Sequence, residues 1–222
     1  MAACPDDCPR KRDIPTEADL AAIAGDKTKL IHQLLSVIEN EIAPRTQEGV
    51  RSGNKLFGGA ILNKSDLSTI VAVTNSETGN PLLHGEITAI NAFYEIPRER
   101  RPPANQCIFL CTHQPCSLCL SGITWSGFDN FFYLFSYEDT KDAFNIPHDL
   151  KILDEVFRCP DGGYAQKNHY WSSWGLKEMI ASCGEKDRTF FSQRVDVLYK
   201  TYDEMSLVYQ RSKSSGAEIP LK

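Results

Sequence analysis

LLHGEITAI at residues 82–90 and HQPCSLCLS at residues 113–121 hold the side chains on which the organisation of this chain turns. His84 and Glu86 stand in the first stretch, Cys116 and Cys119 in the second. Alone, His-x-Glu is weak, because it arises by chance in ordinary sequences and a single histidine is commonly a hydrogen-bonded core residue. Cys-x-x-Cys is rarer and has three readings: a thiol redox pair, half of a structural zinc site, or half of a catalytic one. A redox pair is expected after the first strand of a βαβ unit, whereas Cys116 follows a late strand and a helix-borne His-x-Glu.

The two stretches say more together. One imidazole and two thiolates make three protein ligands and leave the fourth tetrahedral position of zinc open, as in reactive rather than closed structural sites. The spacing has a mechanical reason. HGEITAINAFYEI (84–96) predicts a helix stopped by Pro97, and SLCLSGITWSG (117–127) predicts another ended by Gly127. Between them QCIFLCT (106–112) predicts a buried strand that can bring both helix N-termini to one sheet edge. Helix N-termini favour thiolate over thiol, and residues three apart share a face, so both sulfurs can reach one ion. Glu86 is too close along the helix to be a comfortable fourth ligand and is placed instead to carry protons.

Working outward, LFGGAILN (56–63) and STIVAVTN (68–75) predict strands joined by the hairpin signal KSDL, and NFFYLFS (130–136) predicts a further strand. Strands alternating with helices imply an α/β layered fold whose sheet is partly parallel. Upstream, Leu30, Leu34, Leu35, Ile38 and Ile42 recur at helical spacing. Downstream, HDLKILDEVF (148–157) predicts a helix and CPDGGY (159–164) a turn and boundary. A last helix is expected over about 186–211, where Phe191, Val195, Leu198, Tyr202, Met205 and Tyr209 form a seam of seven-residue period. That seam is short for a free coiled coil, so it is expected to pack on the domain or on a second subunit. Residues 1–15 are expected to be a disordered tail, in which Cys4 and Cys8 could hold a second metal. The reactive domain is then 16–158, and 159–222 a helical C-terminal extension.

Composition narrows the partners. Of 222 residues, 41% are hydrophobic and 24% charged, ordinary for a globular protein, and the net charge of −5 gives no footprint for gripping a phosphate backbone. The RERR run at 98–101 reads as a solvated loop. Nucleic acid is therefore not expected as a partner. No apolar run approaches the roughly 20 residues needed to span a bilayer, and the N-terminus lacks the apolar segment of a signal peptide. Eight cysteines without an export signal suit a reducing compartment, and the protein is expected to be cytoplasmic.

Over residues 27–136 the sequence resembles the cytidine-deaminase-like superfamily, especially its branch of cytosine, guanine and tRNA adenosine deaminases. LHGEIT and the double glycine Gly58-Gly59 look like fungal cytosine deaminase, while PCSLCLSGITW and YEDTKDAF look more like bacterial guanine deaminase. The resemblance implies a three-layer α/β/α fold with a mixed central sheet and, commonly, a homodimer. It implies zinc held by His84, Cys116 and Cys119, with Glu86 as catalytic proton shuttle. Asn75 matches the asparagine that hydrogen-bonds the substrate base, at a shorter spacing from the histidine than is usual, and Gly85 supplies a main-chain N–H near the same ring. His113 stands where purine-acting members often carry Glu. Phe57, Trp125, Phe144, Trp171 and Trp174 are candidates for the pocket wall or lid, and His148 and Asp149 lie where some relatives return residues over the site. The expected activity is hydrolytic deamination of a small-molecule nucleobase or nucleoside, cytosine-type ahead of guanine-type. The alternatives are a tRNA adenosine deaminase and a non-catalytic zinc-stabilised interaction module.

Overall fold

The computed structural model describes residues 14–213 and 219–221. Cys4 and Cys8, and all but the last two residues of the expected tail, lie outside them. Five strands form one sheet in the order β2-β1-β3-β4-β5: β1 (Gly58–Asn63), β2 (Thr69–Thr74), β3 (Cys107–His113), β4 (Asn130–Phe135) and β5 (Ser172–Gly175). β1 pairs antiparallel with both β2 and β3, whereas β3, β4 and β5 run parallel to one another, so the sheet is mixed.

Strict alternation along the central strands builds a layer on each face, since successive side chains of a strand point to opposite sides. Ala60 and Leu62 of β1, Ile108 and Leu110 of β3, and Phe132 and Leu134 of β4 belong to one apolar cluster. Their neighbours Ile61, Phe109, Phe131 and Tyr133 belong to the other. The first face is covered by α2 (Lys27–Val37), which runs through a single π-helical segment (Ile38–Ile42) into α3 (Ala43–Arg51), and by α7 (Leu176–Ala181) and α8 (Glu185–Lys213). The second face is covered by α4 (Gly85–Glu95) and α5 (Ser117–Trp125), and the helix expected from His148 is α6 (His148–Glu155). The three-layer α/β/α arrangement is thus present, with a helical C-terminal segment. No helix among the described residues is long and apolar enough to cross a membrane.

The heptad seam of α8 packs on the domain itself. Phe191, Val195, Leu198, Tyr202, Met205 and Tyr209 are all buried in the same cluster as α2, α3 and the sheet. The strand β5 and two short helices, one of them α7, have no counterpart in the sequence reading. SSWG at 172–175 is short and without alternation, yet it forms the edge strand β5, with Trp174 stacked on Phe132 at a centroid distance of 5.1 Å. α1 (Glu17–Ile23) is closed by a capping box between Thr16 and Asp19.

His113 ends β3 inside an aromatic cage of Phe57, Phe135, Phe144 and Tyr202. Its Nδ1 lies 2.9 Å from the Thr112 hydroxyl, and burial pushes its pKa down from 6.5 to about 3. The unfolded chain takes up a proton at this histidine near pH 6.5 and the folded chain does not. Stability is therefore full above that pH and falls as the pH drops toward 3, by about 2 kcal/mol at pH 5 from this group alone. Denaturant unfolding between pH 7 and 5 is expected to show a shallower loss for His113→Phe than for the parent chain, and equal slopes would refute the assignment.

Candidate metal centre

Close backbone contact between the first residues of α4 and β1 sets the site. Gly85 lies on β1: a Cβ built on it would fall 2.7 Å from the Cα of Gly58 and 2.9 Å from its N and C atoms. A Cβ on Gly58 would in turn lie 2.3 Å from Ile42. Gly85 thus lets the first turn of α4 sit against β1, where a Cβ on Gly59 would lie 3.3 Å from the Gly85 carbonyl oxygen, while the Gly58 N–H donates to Thr112 Oγ1 of β3 at 2.9 Å. His84 is the N-cap of α4, and Cys116 is the N-cap of α5 with Cys119 in its first turn. β3 connects the two helices as expected, and its parallel neighbour β4 continues the sheet beyond it.

The ligand atoms converge. Cys116 Sγ and Cys119 Sγ are 3.6 Å apart, and His84 Nδ1 lies 3.4 Å from the first and 3.7 Å from the second. A tetrahedral zinc with Zn–S of about 2.3 Å and Zn–N of about 2.0–2.1 Å would separate its ligands by about 3.5–3.8 Å. The observed triangle therefore fits zinc without rearrangement. Among the described residues, His84, Cys116 and Cys119 are the metal-binding group that the geometry identifies. Glu86 is buried beside them, its Oε2 accepting from the Cys119 thiol at 3.2 Å.

Electrostatics make the cluster receptive to a cation. Burial opposes a charge on His84, yet hydrogen bonds and charge from Cys116 and Glu77 outweigh it and raise the imidazole to about 11. The contacts of Cys116 with Cys119 and His84 hold its thiol well below the usual range against burial. Burial, then the charge at Cys116, pushes Glu86 up to about 7. A buried centre that stabilises positive charge so strongly is suited to a divalent ion, which replaces the thiol and imidazolium protons.

A cavity of about 260 Å³ opens on one side of the ligands. His84 and Cys116 form its floor, and Pro81, Leu82, Leu118 and Ile152 its apolar walls. Lys55, Glu77, His148 and Asp149 bring polar groups to it, and Ile219, Pro220 and Leu221 close it from the C-terminal end of the chain. Burial, then the charge at Cys116, raises Asp149 to about 8. A larger cavity of about 320 Å³ lies between Thr16 and Trp174 and contains none of these ligands.

The structure places the other sequence-derived residues elsewhere. Asn75 is buried, but its amide donates to Glu77 Oε2 at 2.6 Å and its Oδ1 accepts from the Glu77 N–H at 3.1 Å, and it does not line the cavity. Phe57 packs edge-on against His113 in the core, and Phe144 joins the same cage. Trp125 ends α5 with 91% of its surface exposed. Trp171 and Trp174 pack on Phe131 and Phe132 around β5. Aromatic content marks these residues as large, not as facing the site. Lys55, Glu77 and the closing segment Ile219–Leu221 line the cavity without having been expected there. A lysine and a glutamate in loops carry no periodic signal.

Comparison with known proteins agrees with the metal motif. Residues 39–135, just under half of the chain, match the family described as the cytidine and deoxycytidylate deaminase zinc-binding region. Among solved structures, guanine deaminase from Bacillus subtilis is 25% identical, over 49% of this chain and 68% of that one, with a TM-score of 0.41. A structure from a study of A-to-I editing by tRNA:A34 deaminases is 16% identical, over 70% and 99%, with a TM-score of 0.42. Guanine deaminase from Nitrosomonas europaea is 15% identical, over 73% and 92%, with a TM-score of 0.41. No curated protein matches the chain.

The glycine contact gives a direct test. Gly85→Ala is expected to destabilise the protein by about 1–3 kcal/mol through overpacking and to weaken zinc binding, as thermal unfolding and chelator competition would show. Gly25→Ala, where nothing lies within 4 Å, should change neither. Equal behaviour of the two variants would contradict the role given to the contact.

Proposed function

From a chain whose residues 39–135 carry the zinc-binding region of the cytidine and deoxycytidylate deaminases, we propose a hydrolytic deaminase of a free nucleobase or nucleoside. A cytosine-type ring stands ahead of a guanine-type one. The observation that carries this reading is the convergence of three ligand atoms with a buried carboxylate beside them. A purely structural zinc site takes four protein ligands and needs no proton carrier.

His84, Cys116 and Cys119 would hold the zinc. Zinc bound there would supply the Lewis acidity that makes a water molecule nucleophilic near neutral pH. Glu86 then handles the protons. While Cys119 is a thiol it donates to Glu86 Oε2. With Cys119 deprotonated as a ligand, that donor would be gone and the carboxylate would be free to accept a proton from water. Glu86 takes a proton from water and returns it to a ring nitrogen. The oxygen of that water bonds to the amino-bearing carbon, Glu86 carries the remaining proton of the water to the exocyclic amino nitrogen, the carbon–nitrogen bond breaks, and ammonia leaves from a carbonyl product. Glu86 serves in turn as base and as acid, a role suited to a carboxyl whose pKa lies near the working pH.

The cavity supports a small flat substrate. About 260 Å³ is at the lower end of the volumes ligand pockets occupy. Leu82, Leu118, Ile152 and Ile219 offer apolar contact to ring faces, and Asp149, with its pKa raised, can keep a proton to donate to a ring acceptor. The side chain of Asn75, the base-binding residue that the resemblance implies, is instead occupied by Glu77. With LHGEIT resembling the cytosine-acting branch, a pyrimidine fits the small cavity best. The net charge of −5 supports a small molecule over tRNA.

Zinc-loaded protein is expected to release ammonia from one of cytosine, cytidine, guanine, guanosine or adenine, with cytosine first. Glu86→Gln should retain zinc and lose about 10²–10⁴ of turnover. Metal analysis and ammonia release on the same samples check this, and normal turnover by Glu86→Gln would remove Glu86 from the reaction.

A further inference from the structure

We propose that Lys55 and Glu77 form a buried charged pair that positions His84 as a metal ligand. The inference rests on the ligand set of the proposed function and not on the substrate.

The two ring nitrogens of His84 face different partners. Nδ1 faces the sulfurs of Cys116 and Cys119 at 3.4 and 3.7 Å, while Nε2 lies 3.5 Å from Glu77 Oε1. A carboxylate on that side favours the proton on Nε2 and leaves the Nδ1 lone pair for the metal. It also sets the rotation of the ring, since His84 caps its helix with backbone alone and makes no side-chain capping bond.

Glu77 is itself fixed on several sides. Lys55 Nζ donates to Oε1 at 2.9 Å, Asn75 Nδ2 donates to Oε2 at 2.6 Å, and the Glu77 main-chain N–H returns to Asn75 Oδ1 at 3.1 Å. The Glu77 carboxylate cannot turn away from His84 without breaking one of these bonds. Lys55 comes from the α3–β1 connection and Glu77 from the β2–α4 connection. The pair therefore ties together two loops that have no regular structure of their own, beside the ligand.

Stability alone is a poor account of such a pair. Their side chains are only 5% and 2% exposed, and an ion pair so deeply buried adds little or nothing over apolar residues of the same size. What apolar residues could not provide is a charged acceptor aimed at Nε2.

The test compares the full-length parent with Glu77→Gln and with the double variant Lys55→Met/Glu77→Met. Zinc affinity is read by chelator competition and folding by thermal unfolding of the metal-depleted proteins. The double variant is expected to melt near the parent yet bind zinc about 10–100-fold more weakly. Glu77→Gln, which keeps an acceptor but loses its charge, should fall between. A folded double variant that binds zinc within about threefold of the parent overturns the proposal. Should the double variant not fold, Glu77→Gln decides by the same threshold. Parent protein that binds zinc tightly but deaminates none of the bases would defeat the proposed function and leave this inference intact.

Discussion

The first turn of α4 rests on bare backbone. Gly85 meets Gly58 at a separation that no side chain on Gly85 would permit, and this contact determines where His84 stands over the sheet. α5 starts from the end of β3, the strand paired with β1. Two helix N-termini are thereby brought together on one face of the sheet, and with them an imidazole and two sulfurs separated by the edges of a zinc tetrahedron. The fold supplies the geometry, and the metal ligands need only be at the right positions within it.

The same placement concentrates charge. Helix N-termini favour anionic groups, and Cys116, Glu77 and Glu86 gather around one histidine in a space largely closed to water. Without a cation His84 and Glu86 keep protons at unusual pKa values, about 11 and about 7, while Cys116 and Glu77 are held below their usual ranges. In the proposed function a cation displaces the protons on the ligands and leaves Glu86 as the group able to exchange protons with a substrate. Apolar side chains and the Ile219–Leu221 segment line the cavity beside these groups.

Much of this is written locally in the sequence. The ligand motif could be read because each of its halves begins a helix, and a helix start is a short-range property of three or four residues. The central strands could be read because Ile61, Phe109 and Phe131 alternate with the residues facing the other layer. What escaped depends on distant partners. β5 exists because β4 offers it hydrogen bonds and Phe132 offers Trp174 a surface, and nothing within SSWG announces either. Lys55 and Glu77 become a pair only when two loops meet. Phe57 and Trp125 were expected at the pocket from size and chemistry, yet one faces the core and the other solvent. Side-chain identity does not encode direction.

The account stands on His84, Cys116 and Cys119 sharing one zinc ion. X-ray absorption at the zinc edge of purified protein tests this most directly. Two sulfur ligands at about 2.3 Å and two lighter ligands at about 2.0–2.1 Å are predicted. A shell of four sulfurs, or one of nitrogen and oxygen alone, would contradict it.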